Sequence, residues 1–256
     1  MGVAAPEVGD ETMNQQRQRA ILGQTLVVIG GSAGIGLETA RQARSEGANV
    51  ILVARNAERL AEAATDIGAQ QTASFDATDN FALASFFRGL EAPIDHVMVT
   101  AGSPTYGPLL EMSAEKVTAA LSDHIVLALE AARNAVPGMR AGGSLLFVGG
   151  TGGRRLVRGS GIVSAVTAAL PPFTAALALE VAPVRVNLIA PGFVDTPLSA
   201  SLLGDQLEAR RAELRRTLPI GRVVRPADVA ALAVHLMTNT AITGATYDID
   251  GGQQFT

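Results

Sequence analysis

Thr25-Leu26-Val27-Val28-Ile29-Gly30-Gly31-Ser32-Ala33-Gly34-Ile35-Gly36 is the stretch that decides the fold. A short, continuous apolar run closed by glycine reads as a strand buried on both faces of a parallel sheet. The segment Ile35–Gly47 then carries a helical pattern and closes on a terminating glycine. Between them, Gly30 permits a tight turn and Gly34 lets backbone approach a pyrophosphate. Gly36 allows the helix to pack closely on the strand. The unpaired N–H groups that open the helix form a seat for phosphate charge. Strand, glycine turn and helix in that order point to a dinucleotide site at Gly30, Ser32, Ala33, Gly34, Ile35 and Gly36.

Working outward, six more runs of strand length follow: Asn49–Ala54, Gln71–Phe75, Asp95–Thr100, Ser144–Val148, Val184–Ala190 and Ala245–Ile249. Helical patterns separate them, among them Ser113–Met139, which opens on a capping serine. Alternating strand and helix of this kind predict an α/β fold: a Rossmann-type doubly wound parallel sheet of seven strands, helices on both faces. Residues 1–20 are polar and mixed in charge, without the apolar run of a signal peptide, and read as a mobile arm. Residues 21–256 read as one domain, with a lid insertion at about Thr196–Ile220 between the last two strands.

Composition narrows the function. The chain has 256 residues and no cysteine, which removes disulfides and thiolate metal sites. A net charge of −4 without a long basic run argues against nucleic acid. Gly, Pro or charge interrupts each apolar stretch before membrane-spanning length, so no membrane is expected and a cytoplasmic location is the default. No metal site is expected.

The end of the second strand bears on the cofactor. An acid there would bind the ribose 2′-hydroxyl of NAD(H), but this chain has Val53-Ala54-Arg55. Arg55 can pair with a 2′-phosphate and Ser32 can add a donor, so NADP(H) is favoured over NAD(H). The other reading of Arg55 is a solvated surface arginine.

With these motifs in place, the chain resembles the short-chain dehydrogenase/reductase family over roughly Gly23 to Gln253. The matching residues are the glycine turn, Asp76-Ala77, Thr100-Ala101-Gly102, Asn187 through Pro191-Gly192 to Thr196, and Gly244 through Gly252. The resemblance implies that Asp76 and Ala77 hold adenine and that Ala101 and Gly102 border the cofactor ribose. Pro191 and Gly192 would join the cofactor site, with Val194 and Thr196 on the nicotinamide carboxamide. It also implies a homo-oligomer, tetramer or dimer, a role the apolar stretch Ala168–Val181 suits.

The same resemblance implies a Ser, Tyr, Lys and Asn set for general acid–base chemistry. Here Gly150 stands for Ser, Val163 for Tyr, Thr167 for Lys and His124 for Asn. No shift of alignment restores the pair. The single lysine is Lys116, and four residues beyond Tyr106 and Tyr247 stand Leu110 and Gly251. His124 is the candidate replacement, since imidazole can give or take a proton near neutral pH; a satisfied core histidine is the alternative. Tyr106, on a Gly/Pro-rich loop, could reach a substrate oxygen or merely pack at the rim. Ser103, Thr151, Ser160 and Ser164 offer hydroxyls but are poor acids without a base. Gly149-Gly150-Thr151-Gly152-Gly153 looks like backbone cleared for something bulky, and His96 and His235 read as structural.

Arg154, Arg155 and Arg158, with Arg210, Arg211, Arg215 and Arg216, could greet an anionic small-molecule substrate. Equally, Glu208–Arg211 and Glu213–Arg216 could be pairs on a solvated helix face. Pro171-Pro172 is expected to distort the helix that carries Val163 and Thr167. Two functions follow. One is an NADP(H)-dependent oxidoreductase with an atypical proton donor. The other is a catalytically silent NADP(H)-binding sensor or partner subunit.

Overall fold

The computed structural model describes residues 21–91, 93–154 and 156–256. The arm expected at residues 1–20, and Arg155, lie outside them. Strands β1 (Thr25–Ile29), β2 (Asn49–Ala54), β3 (Gln71–Ser74), β4 (Ile94–Val99), β5 (Met139–Val148), β6 (Arg185–Pro191) and β7 (Thr246–Ile249) form one parallel sheet in the order 3-2-1-4-5-6-7. The expected strands fall within a residue or so of these bounds, except that β5 begins at Met139 rather than Ser144. Its polar first half pairs only through Met139 with Ile94, across an irregular register, so no continuous apolar run announces it.

Side-chain alternation divides the core into two layers. Val27, Ile29, Val97, Val99, Leu145 and Phe147 face helices α3 (Asn80–Arg88), α5 (Leu127–Ala135) and α6 (Gly161–Glu180) through Leu83, Phe87, Leu127, Ala131, Leu170 and Leu177. Leu26, Val28, Met98 and Leu146 face α1 (Gly34–Ser45), α2 (Ala57–Ile67) and α9 (Pro226–Thr238). The strand pattern has to be continuous rather than alternating because both faces are covered.

The helix expected over Ser113–Met139 is divided. Helix α4 (Ala114–Leu121), capped by Ser113, passes through a π-helical turn, Ser122–Val126, into α5. A π turn widens the backbone by one residue and re-aims a side chain, a device frequent at functional sites. Here the re-aimed residue is His124.

Pro171 and Pro172 do not interrupt α6, which stays helical through both. Proline's fixed φ is compatible with a helix. Leu170, Thr174, Leu177 and Ala178, buried on either side, hold the adjoining turns against the sheet. A consequence corrects the composition argument: Gly161–Glu180 is long and apolar enough, by length and composition, to cross a membrane. It lies along the sheet, packed on β6, and turns a second face outward made of Ala165, Ala168, Pro172, Ala175 and Leu179.

Two buried polar groups serve the structure, His96 as expected and Arg185 in addition. His96 bonds Ser144 Oγ through Nδ1 at 2.8 Å and Gln24 Oε1 through Nε2 at 2.5 Å. Burial, helped by the nearby Arg185 charge, pushes its pKa down to about 3 and holds the ring neutral. Arg185, 5% exposed, sits in β6 and donates to the carbonyls of Leu236, Met237, Asn239 and Ile242 at the end of α9, and to Gly142 O.

Candidate cofactor and substrate cavity

All seven strands point their C-terminal ends the same way, and a cavity of about 870 Å³ opens there. Gly30, Ala33, Gly34, Ile35 and Gly36 form its inner wall. At Gly30 and Gly36 the backbone has no room for a side chain. Gly30 has φ 95°, and a Cβ on it would meet Thr100 Oγ1 at 2.5 Å; one on Gly36 would meet Gly30 O at 2.4 Å. Thr100 Oγ1 donates to Gly30 O at 3.1 Å, fastening the end of β4 to the turn.

The start of α1 differs from its neighbours. Asn56 caps α2 and Asp79 caps α3, each accepting main-chain N–H groups. Ala33, at the same position on α1, offers no side-chain acceptor, and the first turn has no acid. Free N–H groups of α1 therefore open on the cavity, a ready seat for a diphosphate.

The other expected cofactor residues divide into two groups. Ala101, Gly102, Pro191, Gly192, Val194 and Thr196 line the same cavity. Thr196 Cγ2 stands 3.4 Å from where a Cβ on Gly34 would lie, so the two walls face each other closely. Ser32, in the turn after β1, and Arg55, Asp76 and Ala77, beyond the ends of β2 and β3, lie outside the lining. Arg55 follows Val53, whose carbonyl accepts the N–H groups of Gly30 and Gly31. Its side chain is 75% exposed and stands 3.9 Å from Asp76. The Thr78 N–H and hydroxyl hold the Asp76 carboxyl below its usual range, and Arg55 adds to the effect.

The residues at the expected catalytic positions, His124, Gly150, Val163 and Thr167, are all brought together in this cavity, and Tyr106 is at its mouth. His124 Nδ1 donates to Ala120 O at 3.0 Å, so in the neutral ring the lone pair is on Nε2. Nε2 lies 3.5 Å from where a Cβ on Gly102 would stand. The floor is chemically quieter. Thr167 Oγ1 donates to Val163 O, Ser164 Oγ to Gly152 O and Ser160 Oγ to Val157 O. Ser103 is exposed and outside the lining, whereas Thr151 lines it, its hydroxyl in no hydrogen bond.

Three of the arginines expected to greet an anion are bound to carboxylates. Arg154 pairs with Asp248, Arg210 with Glu213, and Arg211 with both Asp195 and Glu208. The expected Glu208–Arg211 pair is present, while Glu213 engages Arg210, one turn before it in the helix. Sequence reasoning missed Gln253, whose Oε1 accepts the Phe193 N–H at 2.7 Å from within the cavity. Nothing in Gly251-Gly252-Gln253-Gln254 signals that a chain terminus folds back over the strand ends.

Sheet order, the glycine turn at the first strand and the cavity across the strand ends define the Rossmann-type doubly wound class. The family model described as enoyl-(acyl carrier protein) reductase matches residues 17–254. Carbonyl reductase family member 4 of Xenopus laevis is 30% identical over 240 residues, covering 91% of this chain and 99% of that one. The 3-oxoacyl-[acyl-carrier-protein] reductase of Bos taurus is 32% identical over 237 residues, covering 90% and 97%. L-sorbose reductase from Gluconobacter frateurii, solved with NADPH and L-sorbose, superposes with a TM-score of 0.85 at 28% identity, covering 93% of this chain and 99% of that one. The chain belongs to the short-chain dehydrogenase/reductase family, whose members are oxidoreductases that use nicotinamide cofactors on small molecules.

Proposed function

We propose that the protein is an NADP(H)-dependent oxidoreductase in which His124 handles the proton. The observation that carries this reading is the uncapped start of α1 opening on the same cavity as His124 Nε2. The glycine turn and the α1 N–H groups would hold the diphosphate, Arg55 and Ser32 the 2′-phosphate, Asp76 and Ala77 the adenine. Ala101, Gly102, Pro191, Gly192, Val194 and Thr196 would frame the nicotinamide half. A bound nicotinamide supplies hydride chemistry. His124 takes a proton at Nε2 from a substrate hydroxyl, or as imidazolium returns one to a substrate anion. The bond to Ala120 O fixes which nitrogen does so. The segment 196–220, with α7 (Pro197–Leu203) and α8 (Leu207–Thr217), would act as the lid.

Arg55→Ala tests the cofactor half. One charge-assisted contact at an exposed site should make NADPH bind about tenfold more weakly and leave NADH nearly unaffected. Titration by nicotinamide fluorescence reads both. Equal affinities of wild type for the two cofactors would remove the argument for NADP(H).

A second reading, a catalytically silent NADP(H)-binding sensor or partner subunit, is favoured by one observation. The floor hydroxyls of Ser160, Ser164 and Thr167 are all committed to main-chain carbonyls. A panel of ketones, imines and activated alkenes, followed by NADPH absorbance, separates the two readings.

The outward face of α6 supports a further element of the proposal, a homo-oligomer. Ala165, Ala168, Pro172, Ala175 and Leu179 form an apolar stripe of small residues that another copy of α6 could approach closely. Light scattering should report a dimer or tetramer at micromolar concentration, and Leu179→Arg should shift it towards monomer. A wild-type monomer would end the idea.

A further inference from the structure

The cofactor reading assigns the inner part of the cavity and leaves its outer part without an occupant. We propose that the outer part takes a bulky, uncharged, largely apolar small molecule rather than an anion. This rests on the cofactor reading only for what fills the inner part.

Three observations converge on it. First, the mouth gathers large apolar side chains that are open to solvent. Tyr106 is 54% exposed, Val157 60%, Leu198 43% and Leu202 49%, and all four line the cavity. They come from the loops after β4 and β5 and from α7. Isolated exposed apolar residues are ordinary, but several from separate segments around one concavity mark a place where apolar surface is covered.

Second, the lining's own charged side chains are already paired with each other. Arg210 and Glu213, the lining's oppositely charged pair, bond each other at 2.7 Å. Close by, Arg154 is held by Asp248, and Arg211 by Asp195 and Glu208. An anion approaching Arg210, Arg154 or Arg211 would have to displace a carboxylate already held there.

Third, the floor is cleared. A Cβ on Gly150 would meet Thr167 Cγ2 at 3.5 Å and Pro191 O at 3.6 Å, and one on Gly152 would meet Thr167 Oγ1 at 3.5 Å. These are ordinary contact distances, so side chains would fit at both positions, and glycine leaves that room to a ligand. The floor hydroxyls turn to the main chain, so much of what faces the room is C–H surface. Thr151 Oγ1, His124 Nε2 and, at the mouth, the Tyr106 hydroxyl are polar points that can orient a ligand.

The test compares 6-methoxy-2-acetylnaphthalene with 6-methoxy-2-naphthoate, which share a skeleton and differ in charge. Each is titrated by its fluorescence into full-length protein, with and without NADPH. The ketone should bind about tenfold or more tightly than the carboxylate. Val157→Asp and Leu202→Asp, both at exposed positions and so compatible with folding, should each weaken the ketone by about tenfold and leave NADPH affinity unchanged. If the carboxylate binds as well as the ketone, or if neither binds at about millimolar concentration, the proposal is overturned. If wild type binds the ketone but not NADPH, the substrate class is supported and the cofactor reading falls.

Discussion

His124→Ala should lower any NADPH-linked turnover by about 10²–10⁴-fold, the usual contribution of a positioned proton carrier, with little change in NADPH affinity. The size follows from the surroundings of Nε2. The hydroxyls of Ser160, Ser164 and Thr167 donate elsewhere, and no Tyr–Lys pair exists to take over. The measurement is single-turnover oxidation of bound NADPH by the best substrate from the panel, with a parallel fluorescence titration of the cofactor. A variant as active as wild type would move the proton to Tyr106, Thr151 or water. A wild type inert towards every substrate would favour the sensor reading.

Arg185→Met should cost about 3–5 kcal/mol of folding stability, as expected when a buried, fully used donor group is removed. In β6 the guanidinium satisfies carbonyls at the end of α9 and in the turn beyond it, and also Gly142 O. It places a positive charge where the helix dipole is negative. Burial pulls its pKa down from the ordinary value, so the cost of desolvating the guanidinium opposes these bonds. Arg185→Lys should be intermediate, because an ammonium has fewer donors and no planar fork. Urea unfolding followed by circular dichroism gives the difference. A loss under about 1 kcal/mol for the methionine variant would show that water replaces the guanidinium.

The sheet and the inner wall of the cavity were legible because each depends on local pattern. Thr25–Ile29 is apolar throughout because both its faces are covered; Gly30 and Gly36 are glycine because backbone and Thr100 press on them, and Gly34 because its φ is +57°. What could not be read depends on contacts between distant segments. The π turn at Ser122–Val126 changes the aim of His124 without disturbing the apolar spacing of the helix around it. Pro171-Pro172 looked like a break because proline's local cost is visible in sequence, whereas the packing of Leu170 and Leu177 that sustains α6 is not. The arginines looked available because Asp195 and Asp248 are far along the chain from Arg211 and Arg154. Arg185 was open to reading: an arginine within Val184-Arg185-Val186, a strand covered on both faces, requires carbonyl or carboxylate partners.

The floor of the cavity has a consequence for how this chain balances stability against reactivity. Catalytic clefts commonly hold buried polar groups poised for a substrate and under-satisfied in the resting protein, which makes them weak points of the fold. Here Ser164 and Thr167 are buried and internally bonded, Val163 packs as a hydrophobe, and among the described residues Thr174 Oγ1 supplies the one fully buried side-chain polar atom without a partner. A tyrosine at 163 and a lysine at 167 would introduce a phenol and an ammonium where the main chain has already been satisfied. Gaining the family's usual chemistry would therefore lower the melting temperature.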